Sequence, residues 1–278
     1  MFERKKYKSF AKMQLKGRWK VPILMTLIAI VVTSLFSLPD YINYPFNDFY
    51  YAAQTGNFQG FFIKYNQAAS SSSLLLSLVQ LLVSFIFAFV ASRVYIKLSQ
   101  NPDKVLFSDY LQNFNFWGRA IITHLWQFLW LLLWSLTLLP ILFIGAFIYV
   151  VIFNLDADSI TTVTTSMLVL TGICTFIWAI LITIKSLSYS MMIYIAAEHE
   201  KCSVAQSLNI SKIITKGHIW DLFVLDLSFL GWHILSLITF GIASLWVTPY
   251  VNMTKVNAYH SLLKEAFDKD LIHVEDFE

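Results

Sequence analysis

Long apolar runs alternate with short basic stretches from one end of this chain to the other. Residues 21–38, 74–96, 120–153, 163–187, 222–240 and 242–258 form six such runs. A membrane-crossing helix needs about 20 apolar residues to span roughly 30 Å of hydrocarbon. The pattern therefore predicts an all-α, polytopic membrane helical bundle of about six transmembrane helices, built as a single integral membrane domain over residues 1–278. The third run is too long for a perpendicular span at about 1.5 Å per residue. It contains Pro140 and Gly145, which suits a kinked or tilted helix, with two shorter segments as the alternative. Residues 222–251 read either as one long helix or as a hairpin broken near "FGIAS" around Gly241.

The distribution of positive charge separates these cases, because Lys and Arg concentrate in short cytoplasmic loops. Six spans with both termini cytoplasmic place 19 of the 20 basic residues inside, leaving Lys64 outside. Five spans would move Lys255, Lys264 and Lys269 outside as well. Six is the expected number.

Three cytoplasmic entries look alike: "LKGRWKVPIL", "FWGRAIITHL" and "TKGHIWDLFV", whose Gly17, Gly118 and Gly217 are spaced by 101 and 99 residues. A surface helix is expected before each, clearest where Leu106, Phe107, Tyr110, Leu111, Phe114 and Trp117 fall near one helical face. This suggests three units, 1–97, 105–200 and 202–263, each an amphipathic cytoplasmic helix, a glycine turn and two spans, followed by a polar tail at 264–278. Basic residues and glycine are also common wherever chains enter membranes, which is the bland alternative.

Ionisable groups inside spans are costly and often functional. Asp226 lies about one turn, roughly 6 Å, beyond the cytoplasmic end of the fifth run. A hairpin turning at Gly241 sets residues whose numbers sum to about 481 at one height, so Asp226 is expected to face Lys255 as an intramembrane ion pair. A proton or cation relay through Asp226 is the functional alternative. His124 and His233 lack a His, Cys or carboxylate at i+3 or i+4 and are expected to be hydrogen-bonded packing residues. "AAEHEKC", with adjacent Glu198, His199 and Glu200, reads as a solvated charged turn. Trp126, Trp130 and Trp134 form a stripe suited to core or lipid contact.

The outer segment 39–73 holds ten aromatics and three charges, Asp40, Asp48 and Lys64. It should lie on the membrane surface, cap the bundle or meet a partner, and Phe58, Phe61 and Phe62 are candidate contact residues. The basic N-terminal arm, with Arg4, Lys5, Lys6 and Lys8, is suited to anionic lipid headgroups.

Composition agrees: 57% of residues are hydrophobic and 13% charged, against about 25% charged in ordinary soluble domains. Cys174 and Cys202 are too few and too differently placed for a disulfide framework or zinc site and read as free thiols. The first 38 residues imitate a signal peptide without a small-x-small cleavage site, so they are expected to remain as the first span. No HExxH, phosphate-binding glycine loop or GxSxG elbow is present, and no cofactor, metal or nucleic acid is expected.

"AKMQLKGRW", "YSMMIYIAAE", "SKIITKG" and above all "LFVLDLSFLGWHILSLITFGIASLWVTPYVNMTKVNAYHSLL" resemble the bacterial integral membrane family catalogued as domain of unknown function 975. His233 and Asn257 to Tyr259 depart from that family's pattern. The resemblance implies an uncleaved multi-pass protein of the bacterial plasma membrane with no assigned activity, substrate or cofactor. The expected role is a non-enzymatic envelope assembly or organising partner; the alternative is a transporter or channel component for a lipid-like or hydrophobic substrate.

Overall fold

A computed structural model describes residues 2–42, 44, 46–68, 71–101, 105–140, 143–145 and 157–277. Among them every regular element is a helix: α1 Arg4–Leu15, α2 Lys20–Ile42, α3 Phe46–Thr55, α4 Gln59–Ala68, α5 Ser71–Gln100, α6 Phe107–Gln112 and α7 Trp117–Ser135. There follow α8 Ala157–Tyr189, α9 Met192–Glu198, α10 Val204–Thr215, α11 Ile219–Leu227, α12 Leu230–Ile238 and α13 Ser244–Asp268. Single 3-10 turns occupy Asn113–Phe116, Leu136–Leu138 and Val274–Phe277. Five stretches are long and apolar enough to cross a membrane: Lys20–Pro39, Leu74–Gln100, Phe107–Gly145, Val169–Glu198 and Ile219–Ile238.

The chain divides into two compact units. The first comprises residues 1–4, 122–229 and 258–278, and the second residues 5–121 and 230–257.

In the second unit α2 and α5 pack together, and Ser37 Oγ donates to Gln80 Oε1 at 3.3 Å between them. The amphipathic α1 buries Tyr7, Ala11 and Leu15, one residue per turn, and leaves Lys5, Lys6 and Lys12 exposed. The end of α5 is held by the segment that follows it. Lys97 bonds Asp109 at 2.5 Å, Arg93 Nε donates to Asn113 Oδ1 at 2.7 Å, and the Arg93 guanidinium lies 3.8 Å over Phe116. Asp109 also accepts from Leu106 N–H at 2.7 Å, so one carboxylate closes the helix start and the ion pair together.

In the first unit α8 stops at Tyr189 and α9 starts at Met192. The Ser188 carbonyl at this break accepts from Ser211 Oγ at 2.8 Å and Thr215 Oγ1 at 3.2 Å, both on α10. Ser207, Ser211 and Thr215 recur every four residues and are fully buried, which lets α10 approach closely. A capping box starts α10: Ser203 Oγ accepts from Gln206 N–H at 3.2 Å while Ser203 N–H donates to Gln206 Oε1 at 2.8 Å.

The third apolar run is interrupted. α7 ends at Ser135 and continues as a 3-10 turn before Pro140, whose ring excludes the carbonyl four residues earlier and whose nitrogen cannot donate. Residues 141–142 and 146–153 of that run lie outside the described residues. Beyond Ile238 the chain turns through Gly241, with Gly241 N–H bonding the Ser236 carbonyl at 2.8 Å, before α13 begins. The 264–278 segment, expected as a polar tail, instead continues α13 to Asp268 and buries Ile272 and Phe277, two apolar anchors within a charged sequence.

Helices precede all three glycines of the entry motifs, but the turns differ. Gly17 and Gly217 have φ of 76° and 89°, and the following residues make matching bonds, Arg18 N–H to Leu15 O at 2.9 Å and His218 N–H to Thr215 O at 3.0 Å. Gly118 is inside α7. A Cβ at any of the three meets nothing within 4 Å, so substitution tests backbone conformation alone. Gly17→Ala and Gly217→Ala should each cost about 1–2 kcal/mol through the left-handed penalty, whereas Gly118→Ala should be neutral or stabilising by up to about 1 kcal/mol. Thermal unfolding in mild detergent measures both, and equal effects at all three sites would contradict the assignment.

Candidate functional site

The polar centre of the first unit is built around Glu198, the last residue of α9. Its Oε2 accepts from Tyr259 Oη at 2.6 Å, and His260 Nε2 lies 3.5 Å from Oε1. His199 Nε2 is 3.8 Å from Oε2. The His199 ring sits 4.1 Å from that of Phe277, which also stacks on Phe267 at 5.9 Å. Nearby, Cys202 is fully buried with its Sγ 3.5 Å from Ser207 Oγ.

This corrects the reading of "AAEHEKC" as a solvated turn. The Glu198 side chain is 18% exposed because Tyr259 and His260, some 60 residues away, arrive on α13. Adjacency along one helix carries no trace of that. Chemically the arrangement is a carboxylate gathered by one hydroxyl and two imidazoles, and its visible effect is to hold the C-terminal turn through His199 and Phe277. Among the described residues no group of three or more His, Cys, Asp or Glu could hold a metal ion.

A second polar knot joins His218 Nε2 to Glu265 Oε1 at 3.1 Å, with Lys269 Nζ on the same oxygen at 2.6 Å. The Lys269 bond, helped by His218, lowers the Glu265 pKa below the ordinary carboxylate range, against the smaller effect of burial.

The aromatic segment after α2 is a helical hairpin, α3 and α4, turning at Gly56, which has φ of 71°. Lys64 and Asp48 pair across it at 2.5 Å. Phe61 is turned inward at 8% exposure, against Tyr44 at 6.0 Å, Phe49 at 5.4 Å and Tyr65 at 6.0 Å. Phe58 and Phe62 remain 39% and 56% exposed beside the still more open Tyr50 and Tyr51. Of the three candidate contact residues, two face outward and one forms the hairpin's own core. The side chains of Asp40 and Tyr41, also in this segment, lie outside the described residues.

Arg4, Lys5, Lys6 and Lys8 fall on α1, where Arg4, Lys5 and Lys6 are exposed and Lys8 half-buried. Asp226 is on α11 and Lys255 on α13. Within the first unit Asp226 is close enough to act electrostatically on the buried Tyr194. His124 is half-buried on α7, whereas His233, expected to be a packing residue, is exposed on α12. α12 packs through its neighbour instead, Trp232 meeting Tyr250 edge-on at 6.4 Å. The tryptophan stripe is a packing surface: Trp126, Trp130 and Trp134 lie on Tyr189, Met192 and Leu208.

Burial lowers the His199 pKa, with His260 acting in the same direction and Glu198 opposing. An unfolded histidine titrates near about 6.5, so as pH falls through that value the unfolded chain takes up a proton that the folded chain resists. The stability present above this pH is therefore lost below it. The detergent-solubilised protein should melt at lower temperature at about pH 5.5 than at about pH 7.5, and His199→Gln should flatten that difference. A variant whose pH profile overlays the wild type would show that His199 does not contribute.

The family described as "Protein of unknown function (DUF975)" matches residues 1–266. No curated protein and no solved structure matches the chain. The match covers the glycine entries at both ends, the tryptophan stripe, Glu198 with Tyr259 and His260, and the α12–α13 turn, and with that extent the chain belongs to the family described as "Protein of unknown function (DUF975)".

Proposed function

We propose that the chain is a six-span protein of the bacterial plasma membrane with both termini cytoplasmic, acting as a non-enzymatic organising partner of other envelope proteins. Five apolar stretches supply the first spans. The sixth is the first part of α13, residues 244–258, which follows the turn at Gly241. The placement of 19 of 20 basic residues on one side supports the orientation.

The observation that carries the partner role is the α3–α4 hairpin. Its inner face is already satisfied by Phe61 and its neighbours, yet Tyr50, Tyr51, Phe58 and Phe62 still point outward. Aromatics of this kind at a rim suit partner contact, since each offers large apolar area with few rotamers to freeze. The exposed basic face of α1 would anchor the cytoplasmic side to anionic lipid. Within the second unit the Trp232–Tyr250 contact fits a hairpin of α12 and α13 turning at Gly241, their numbers summing to within one of the value expected for that turn.

Transport of a lipid-like substrate is the second reading. It draws support from a cavity of about 230 Å³ in the second unit at the entry to α2, lined by Arg18, Lys20, Pro22, Leu98 and Val105. Such a volume would fit a headgroup rather than a whole lipid.

Affinity purification of the tagged full-length chain in mild detergent should retain a specific membrane-protein partner that is lost in a Phe58→Ser/Phe62→Ser variant. The Phe61→Ser variant should instead lose about 3–5 kcal/mol of stability for an emptied aromatic site, read as a lower melting temperature. Purification of both forms alone, with lipid bound, would favour transport.

A further inference from the structure

In the first unit two lysines from different helices stand over the tryptophan stripe. Lys185 Nζ, on α8, lies 4.0 Å from the Trp134 ring. Lys212 Nζ, on α10, lies 4.8 Å from the Trp130 ring and 5.6 Å from that of Tyr189. Trp130 and Trp134 are one turn apart on α7, about 6 Å along the axis. The ledge is itself fixed, because Trp134 Nε1 donates to Tyr189 Oη at 3.0 Å and all three tryptophans pack on Tyr189, Met192 and Leu208.

Two like charges are thus gathered on rigid aromatic faces, and their environment does not neutralise them. Among the described residues neither ammonium is paired with a carboxylate; Lys212 has the neutral Asn209 Oδ1 at 3.4 Å. Burial, and after it the charge of Lys185, lowers the Lys212 pKa, so the pair is close enough to repel. Trp130 Nε1 is also buried and has no acceptor among the described residues, an unusual state for an indole N–H. An anion between the two ammoniums would be attracted by both and would relieve their mutual repulsion.

The surface leading away from the lysines is apolar. One and two turns before Lys185 on α8, Leu181 and Ile177 are exposed, with Ile180 and Ile184 beside them. α8 is long and apolar enough to cross a membrane, and Lys185 lies near its end. Charge at the end of an apolar helix over aromatic rings is the arrangement of a headgroup level.

We propose that Lys185 and Lys212 form a binding site for the phosphate of an anionic phospholipid. The phosphate sits between the two ammoniums above Trp130 and Trp134, and an acyl chain runs along Leu181 and Ile177. The site recognises an oxyanion, so a soluble phosphate is the competing source of the same chemistry. It rests on cation and ring geometry within one unit and is independent of the organising role.

The test uses the full-length protein in nanodiscs of phosphatidylcholine alone or with phosphatidylglycerol, and counts retained lipid by native mass spectrometry after transfer to detergent. Wild type should retain phosphatidylglycerol in preference to phosphatidylcholine. Lys185→Gln/Lys212→Gln should lose that preference by about tenfold or more, each charge near a membrane surface being worth about 1 kcal/mol. Lys185→Arg/Lys212→Arg should keep it, and Lys201→Gln should leave it unchanged. Retention by the double glutamine variant equal to wild type would overturn the site. Inorganic phosphate displacing phosphatidylglycerol at millimolar concentration would overturn the lipid as its source. Should the glutamine variant fail to fold, brominated phosphatidylglycerol provides the second measurement. It should quench wild-type tryptophan fluorescence more than brominated phosphatidylcholine does, and that excess should shrink in Trp134→Phe; an unchanged excess would overturn the placement.

Discussion

A carbonyl freed by a helix break within an apolar stretch needs a donor from elsewhere in the chain, and the fold of the first unit follows from how that requirement is met at Ser188. α8 runs for 33 residues and stops at Tyr189. Two hydroxyls from α10, Ser211 and Thr215, take up the freed acceptor. Each unsatisfied backbone group in an apolar environment costs several kcal/mol, so the break commits α10 to this position. Once α10 is docked, its Leu208 joins Tyr189 and Met192 to make the floor on which the tryptophan stripe rests. The same docking brings Lys212 over Trp130.

The packed interior lies away from the middles of the spans. The apolar core of each candidate span is at most 17% buried, and in the third and fourth it is 0% buried. The fully buried side chains include Leu15, Tyr95, Tyr110, Met192, Leu208 and Tyr259, at span ends or on the short helices beside them. This inverts the soluble pattern and follows from the solvent. Lipid tails are as apolar as leucine, so span surfaces gain little from burial against one another. The short amphipathic helices do have apolar faces to remove from water, and each unit has its own. Polar contacts agree: the Glu198 centre of the first unit starts from α9 and the Lys97–Asp109 pair of the second ends on α6.

Much of this was legible from periodicity. Five of the six apolar runs coincide with stretches long and apolar enough to cross a membrane, and helices precede all three glycine entries at Arg4–Leu15, Phe107–Gln112 and Val204–Thr215. The hairpin at Gly241 was readable because glycine in a run of apolar residues accepts the φ of 87° that a tight turn demands. Contacts that depend on distant partners were not readable. Glu198 looked solvated because Tyr259 and His260 lie far along the chain, and Phe61 could not be told from Phe58 and Phe62 while the hairpin's own core was unknown. One missed signal was present: Ser207, Ser211 and Thr215 at four-residue spacing, behind the Ser203–Gln206 capping box, announce a helix face made to approach another helix closely.

The three entries show why similar short motifs need not make similar turns. At Gly17 and Gly217 the preceding helix ends, the glycine takes left-handed φ, and the next helix sets off in a new direction. Before Gly118 the direction is already fixed. Lys97 and Arg93 at the end of α5 hold Asp109 and Asn113, and the 3-10 stretch Asn113–Phe116 carries the backbone into α7 without leaving the right-handed region. A glycine inside a helix then has no turn to make. What the entries share is therefore the helix laid down before each glycine, while the backbone at the glycine differs: left-handed at Gly17 and Gly217, helical at Gly118. Conservation of chain direction, rather than of the glycine turn, is the property that would define a repeated unit in this fold.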